Sequence, residues 1–268
     1  MSGRFFESLA ELSYEPVHKR VRALVGGRTV VDSRRAVLVW EPRRVVASYA
    51  FPIADMKAEL KPAEGVAAQE HPVRLEEGGP TVLDPRTGFA VHSCPGQPLT
   101  LEVDGITVDG AGFRPDDPDL EDHVVLDFAA FDEWLEEAEP IVGHPQDPFH
   151  RIDVRLGDSR VQVDVDGVVV ADSTAARLLF ETNIATRYYL PREDVRMDLL
   201  TPSDTRTTCA YKGHAAYWSV GGHRDLAWTY DEPLSDARDV AGHIAFFNER
   251  VDVILDGERL PRPVTPWS

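Results

Sequence analysis

The chain carries one module twice, and that repeat limits the possible folds before any local motif does. Val21 to Tyr49 can be laid on Val161 to Tyr189, so that Gly27 meets Gly167, Asp32-Ser33 meets Asp172-Ser173, Ala36 meets Ala176 and Glu41 meets Glu181. One residue is then lost, and Phe51-Pro52-Ile53-Ala54-Asp55 falls on Leu190-Pro191-Arg192-Glu193-Asp194. What both copies keep points to architecture, and what one copy alone keeps points to function. Residues 1–142 are expected to form the first module and residues 143–268 the second, with a Pro-rich connector over 143–150.

The repeated stretches read as strands. Val161-Gln-Val-Asp-Val alternates apolar and polar residues and then turns at Asp166-Gly167, a short hairpin signal. Residues 177–180, 186–190, 214–220, 226–230, 244–247 and 251–255 are further short β-branched or aromatic runs. Residues 194–199 also alternate, predicting a strand with Asp194, Arg196 and Asp198 on one face. In copy one, residues 62–84 read as an irregular insertion and residues 99–108 as a hairpin. Phe128, Phe131 and Leu135 fall at helical spacing, which predicts one short linking helix over 128–139. The expected fold is mainly β: two pseudo-symmetric modules from an internal duplication, plus that helix.

Charge and cysteine usage remove several functional classes. The formal net charge of −18 argues against a nucleic-acid or anionic-membrane surface, which needs clustered Lys and Arg. No apolar run approaches the roughly 18 residues of a membrane span. The opening residues lack the apolar core of a secretory signal, so a cytoplasmic protein is expected. Cys94 and Cys209, at similar places in the repeat, cannot build a disulfide framework, and no Cys-x-x-Cys pair exists. The histidines lack metal-ligand spacing, which leaves His243, Cys209 and an acidic residue as the residual metal set. No metal and no cofactor is expected, and the partner expected is a small molecule.

The run Tyr188-Tyr-Leu-Pro-Arg-Glu-Asp-Val-Arg-Met-Asp-Leu-Leu continues into Ser203-Asp-Thr-Arg-Thr-Thr-Cys-Ala-Tyr-Lys-Gly, then Tyr217-Trp-Ser-Val and Ala227-Trp-Thr-Tyr. In order and spacing it closely resembles the bacterial domain-of-unknown-function family numbered 427, over nearly all of copy two. Copy one matches more weakly, and the tandem arrangement resembles a familiar form of that family. The resemblance implies a β-tent-like fold, similar to the B-type methionine sulfoxide reductases. It also brings a nucleotidyltransferase-like label. The chain shows no Gly-Ser followed by an Asp-x-Asp pair, the metal carboxylates such chemistry requires.

The chemical candidates lie in copy two. Only four lysines accompany 24 arginines, and Lys212 is the sole lysine after Lys61. An amine can lose its proton when buried, so it suits a Schiff base, a general base or a point contact to an anion. The competing reading is a buried ion pair with Asp194 or Asp198. Cys209 is the second catalytic candidate, a nucleophile by fold analogy or a buried structural thiol. Arg196 and Asp198 are candidates for orienting a ligand or for a surface ion-pair row. Tyr188, Tyr217, Trp218, Trp228 and Tyr230 are candidates to line a pocket, with core packing as the alternative for each. A small-molecule enzyme using Lys212 and a non-catalytic binding module are the two functional readings.

Overall fold

The computed structural model describes residues 9–64, 69–74 and 79–265. The chain divides into two compact units, Met1–Asp147 and Pro148–Ser268, so the break falls within the Pro-rich connector.

Among the described residues the first unit contains β1 (Ser13–Pro16), β2 (Val21–Val25), β3 (Arg28–Ser33), β4 (Val37–Trp40), β5 (Ser48–Pro52), β6 (Glu59–Pro62), β7 (Pro72–Arg74), β8 (Thr81–Leu83), β9 (Gly96–Val103), β10 (Ile106–Pro115), β11 (His123–Leu126), β12 (Glu133–Glu136) and β13 (Glu139–Ile141). They form an antiparallel seven-stranded sheet in the order β1-β4-β5-β11-β10-β9-β6, a four-stranded sheet β13-β12-β2-β3, and a small β7-β8 hairpin. Residues 62–84 therefore hold a two-stranded element within the expected irregular insertion, while 65–68 and 75–78 lie outside the described residues.

The second unit contains β14 (Ile152–Leu156), β15 (Val161–Val165), β16 (Val168–Ser173), β17 (Arg177–Glu181), β18 (Ile184–Leu190), β19 (Leu200–Cys209), β20 (Gly213–Val220), β21 (His223–Thr229), β22 (Ile244–Phe246), β23 (Asp252–Leu255) and β24 (Glu258–Arg259). Its sheets run β14-β17-β18-β22-β21-β20-β19 and β16-β15-β23-β24. Strand for strand, β1 to β6 and β9 to β13 take the sheet positions of β14 to β19 and β20 to β24. The β7-β8 hairpin has no counterpart among the described residues of the second unit. The Asp166-Gly167 turn joins β15 to β16 with both residues at positive φ, 52° and 85°, as a two-residue type I′ hairpin requires.

In each unit a core fills the space between the two sheets. Val161, Val163 and Val170 of the smaller sheet pack with Leu190, Trp218, Val220, Ile244 and Phe246 of the larger one. Val21, Ala23 and Val30 meet Leu38, Tyr49, Phe51, Leu101 and Leu126 likewise. Each large side chain fully buried in this way contributes roughly 1.5–3 kcal/mol.

Strand pairing gives the two units a correspondence that differs by one residue from the sequence alignment. Val37 pairs with Ala50 and Arg177 with Tyr189, so Ala50, not Tyr49, holds the place of Tyr189. Tyr49 corresponds to Tyr188, and the lost residue lies in the β4–β5 loop ahead of the tyrosines. The slip matters because one residue of register reverses the face a side chain takes. Tyr49 and Tyr188 face the core between the sheets, whereas Tyr189 packs with Leu179 on the other face of its sheet.

Two local expectations fail. Residues 128–139 are not a helix but a 3-10 turn (Phe128–Ala130) followed by β12, the turn at Glu137 (φ 50°) and β13. Glu, Ala and Leu favour a helix here, but Trp134 stacks on Phe128 at 4.9 Å, donates Nε1–H to the Phe128 carbonyl and brings β12 against β2. Tertiary packing overrides propensity. No α-helix occurs among the described residues. Residues 194–199 are likewise two 3-10 turns, Arg192–Asp194 and Met197–Leu199, rather than a strand. Only Val195 makes a bridge, to Ala171.

Candidate functional site

The outer face of the second seven-stranded sheet gathers most of the polar candidates. Alternation sends Trp218 and Val220 into the core and sends Ala215 and Tyr217 outward. Tyr217 pairs across the ladder with Trp228, and Tyr189, Tyr230 and Leu179 join them. Cys209 follows Thr207 by two residues and so takes the same face, where the Thr207 hydroxyl meets Tyr217 Oη at 2.9 Å. Trp228 Nε1–H donates to Tyr189 Oη at 3.1 Å. Part of this face is covered by the 3-10 segment Ser235–Val240, with Ala237 and Val240 buried. Burial pushes the phenols of Tyr189, Tyr217 and Tyr230 up, so all three remain protonated hydrogen-bonding groups at neutral pH.

Lys212 lies in the three-residue loop from Cys209 to Gly213, whose φ of 91° lets the chain reverse. Its side chain folds onto the end of β17. Nζ is 2.5 Å from Glu181 Oε2, and the residue is 8% exposed. His150 Nε2 approaches the other oxygen at 3.0 Å, and its ring stacks on Tyr211 with centroids 4.1 Å apart. Burial alone would raise the Glu181 carboxyl. Its hydrogen bond with His150 and the Lys212 charge outweigh burial and hold it below its ordinary value. The ammonium is thus in a buried ion pair, as one sequence reading expected, but with Glu181. Asp194 instead accepts from Ser173 Oγ at 2.6 Å, and Asp198 pairs with Arg196 at 2.9 Å on the surface.

The first unit repeats the theme with other residues. Glu41, the counterpart of Glu181, is 2.9 Å from His92 Nδ1 and 3.9 Å from Arg44. Ser33 Oγ donates to Asp55 at 2.6 Å, matching Ser173 and Asp194. The cysteines do not correspond: Cys94 precedes β9, while Cys209 ends β19, on opposite arms of the equivalent hairpins. Both are free. Burial, and then Glu41, push the Cys94 thiol up to about 12.

The remaining candidates scatter. Trp218 is core, with the Arg192 guanidinium 5.2 Å from its ring centroid, and Tyr188 is half-buried against the same core. Arg196 and Asp198 form an exposed pair away from the tyrosine face. His243 Nδ1 bonds the Ala241 carbonyl at 3.0 Å. No group of three or more His, Cys, Asp or Glu is disposed to hold a metal among the described residues.

The second unit carries two shallow depressions. One of about 420 Å³ involves Val169, Asp172, Glu193, Asp194 and Arg196. The other, about 310 Å³, involves Leu156, Arg177, Pro191, Arg192, Glu193 and His243. Lys212, Cys209, Tyr217, Trp218, Trp228 and Tyr230 line neither. Sequence reasoning therefore missed Glu181 as the partner of Lys212 and His150 as the second partner of Glu181, and missed Arg177 and Arg192 altogether. The Glu41–Glu181 match was the one signal that a carboxylate belongs at that strand end.

No curated protein matches the chain. Residues 153–257, the body of the second unit, match the family model described as Domain of unknown function (DUF427), which supports the resemblance found in its sequence.

Proposed function

We propose that the second unit is a small-molecule binding module that does no covalent chemistry at Lys212, and that the two units descend from one duplicated module of which the first is the degenerate copy. One observation carries the first part: the Lys212 ammonium is committed to Glu181 at 2.5 Å and is nearly buried. A nucleophilic or basic amine must reach a substrate, and an ammonium held against a carboxylate and nearly buried does not. A buried Glu beside a histidine and an arginine also stands at the matching place in the first unit, which speaks for architecture. The identical strand order of the two units supports the duplication.

The test is a thermal-shift screen of the full chain against metabolites, with mass spectrometry on every stabilising compound. Stabilisation without a product is expected, and it should persist in Lys212→Arg. Turnover of a stabilising compound that disappears in Lys212→Arg would overturn the reading.

A further inference from the structure

The depression of about 310 Å³ lies where four neighbouring strands end. β14 finishes there at Leu156, β17 starts at Arg177, β18 runs out into Pro191-Arg192-Glu193, and β22 starts just after His243. We propose that this depression is an anion site, taking a small molecule by its phosphate or carboxylate group. This names the ligand class for the binding reading above and rests on it.

The argument is about charge left unspent. Acidic residues outnumber basic ones by 46 to 28, so an arginine here has no shortage of carboxylates. Most arginines of the second unit have one: Arg151 and Arg155 share Asp153, Arg160 takes Asp172, Arg187 takes Glu249, and Arg259 and Arg262 share Asp252. The Arg177 side chain makes no hydrogen bond or ion pair with any described residue. Arg192 has no carboxylate among the described residues either; its guanidinium lies 5.2 Å from the Trp218 ring centroid, a cation–π contact that does not use its N–H donors. Arg177 and Arg192 thus both line one depression, with Glu193 the single acidic residue beside them. His243 adds a ring whose Nδ1 is held by the Ala241 carbonyl, leaving Nε2 as its remaining polar atom.

The first unit supplies the contrast. By strand register, Val37 stands for Arg177 and Ile53 for Arg192. Arg35 stands for Ala175 and is spent on Asp55 at 2.5 Å. The histidine is kept as His123, but both unpaired cations are gone. A planar guanidinium is matched to the paired oxygens of phosphate or carboxylate, and two together favour such a group over chloride. The volume is at the small end of ligand sites, which fits a compact metabolite rather than a polymer.

The experiment titrates the full chain with inorganic phosphate and, separately, with citrate, at constant ionic strength set by sodium chloride, reading thermal midpoints and isothermal heats. Saturable binding of at least one of them is expected, and which one separates phosphoryl from carboxylate recognition. Arg177→Gln and Arg192→Gln should each weaken it at least tenfold, and Arg177→Lys, which keeps charge but loses the fork, should weaken it less. Arg224→Gln, an exposed arginine elsewhere in the unit, should leave it unchanged. A urea midpoint on each variant separates lost binding from lost folding. Failure of both anions to exceed chloride, or unchanged affinity in a folded Arg177→Gln/Arg192→Gln double variant, overturns the site. Binding that ignores these arginines leaves the binding-module reading intact. Turnover of a bound anion through Lys212 overturns that reading and leaves the site.

Discussion

Lys212→Met tests whether the lysine is an architectural partner of Glu181. The substitution keeps most of the side-chain length and removes the charge, leaving Glu181, whose side chain is 4% exposed, without its closest counter-ion. Removing one member of a buried pair costs about 3–5 kcal/mol, most of it the penalty of the stranded charge. His150 still holds one carboxylate oxygen at 3.0 Å, so the lower end, about 3 kcal/mol, is expected here. In a domain of roughly 120 residues that corresponds to a fall in Tm of about 12 °C. Urea unfolding followed by tryptophan fluorescence reads the loss, with an unchanged m-value as the check that only stability moved. Lys212→Met with Glu181→Gln removes both charges and should recover about 2 kcal/mol relative to the sum of the single losses.

The pH dependence gives the same prediction a second readout. In the intact protein the Glu181 carboxyl is held below 4.5, so its contribution is present above that value and is lost as pH falls through the lower, folded-state value. In Lys212→Met the burial that raises this carboxyl is no longer opposed by the Lys212 charge, so protonation at acid pH relieves the variant. The deficit is therefore greatest near neutrality and narrows as pH drops below 4.5. A loss under about 1 kcal/mol at pH 7, or a deficit that does not narrow in acid, would refute the structural role assigned to Lys212.

Three further outcomes are expected. Arg187→Met strands Glu249, whose side chain is fully buried, and should cost about 3–5 kcal/mol by urea denaturation. Cys94, with its thiol pushed up to about 12, should alkylate with iodoacetamide at pH 8 about a thousandfold more slowly than an ordinary cysteine, and at the ordinary rate in urea, as read by peptide mass spectrometry. Gly167→Ala, at φ 85°, should lose about 1–2 kcal/mol, because a Cβ is disfavoured in the left-handed region.

The fold was legible where the signal is local and periodic. β15, the Asp166-Gly167 turn, β20 and β21 follow from alternation and turn chemistry, and one core face per strand follows with them. Legibility failed where a neighbour distant in sequence decides. Residues 128–139 have helical spacing and helical propensity, yet β2, more than 100 residues earlier, claims 133–136 as a strand partner. Residues 194–199 alternate like a strand but have no strand beside them, so they turn instead. The Tyr49–Tyr189 identity looked like the better alignment because an identity costs nothing in sequence, whereas in a sheet it would put a core residue on the outer face.

The site was half legible for the same reason. A lone lysine is rare by composition, and rarity drew attention to Lys212, but its role depends on Glu181, 31 residues back on another strand. Once that pair is seen, the rarity has a structural explanation: a compact ammonium fits beside a carboxylate already shared with His150, where a guanidinium fork would need more room. Arg177 and Arg192 are the opposite case. Nothing in composition separates them from the other arginines, and only the three-dimensional arrangement shows these two, each without a carboxylate partner, beside the same depression. In an acidic chain of this kind, an unpaired cation beside a concavity is a stronger pointer to a ligand than an unusual residue that has already found its partner.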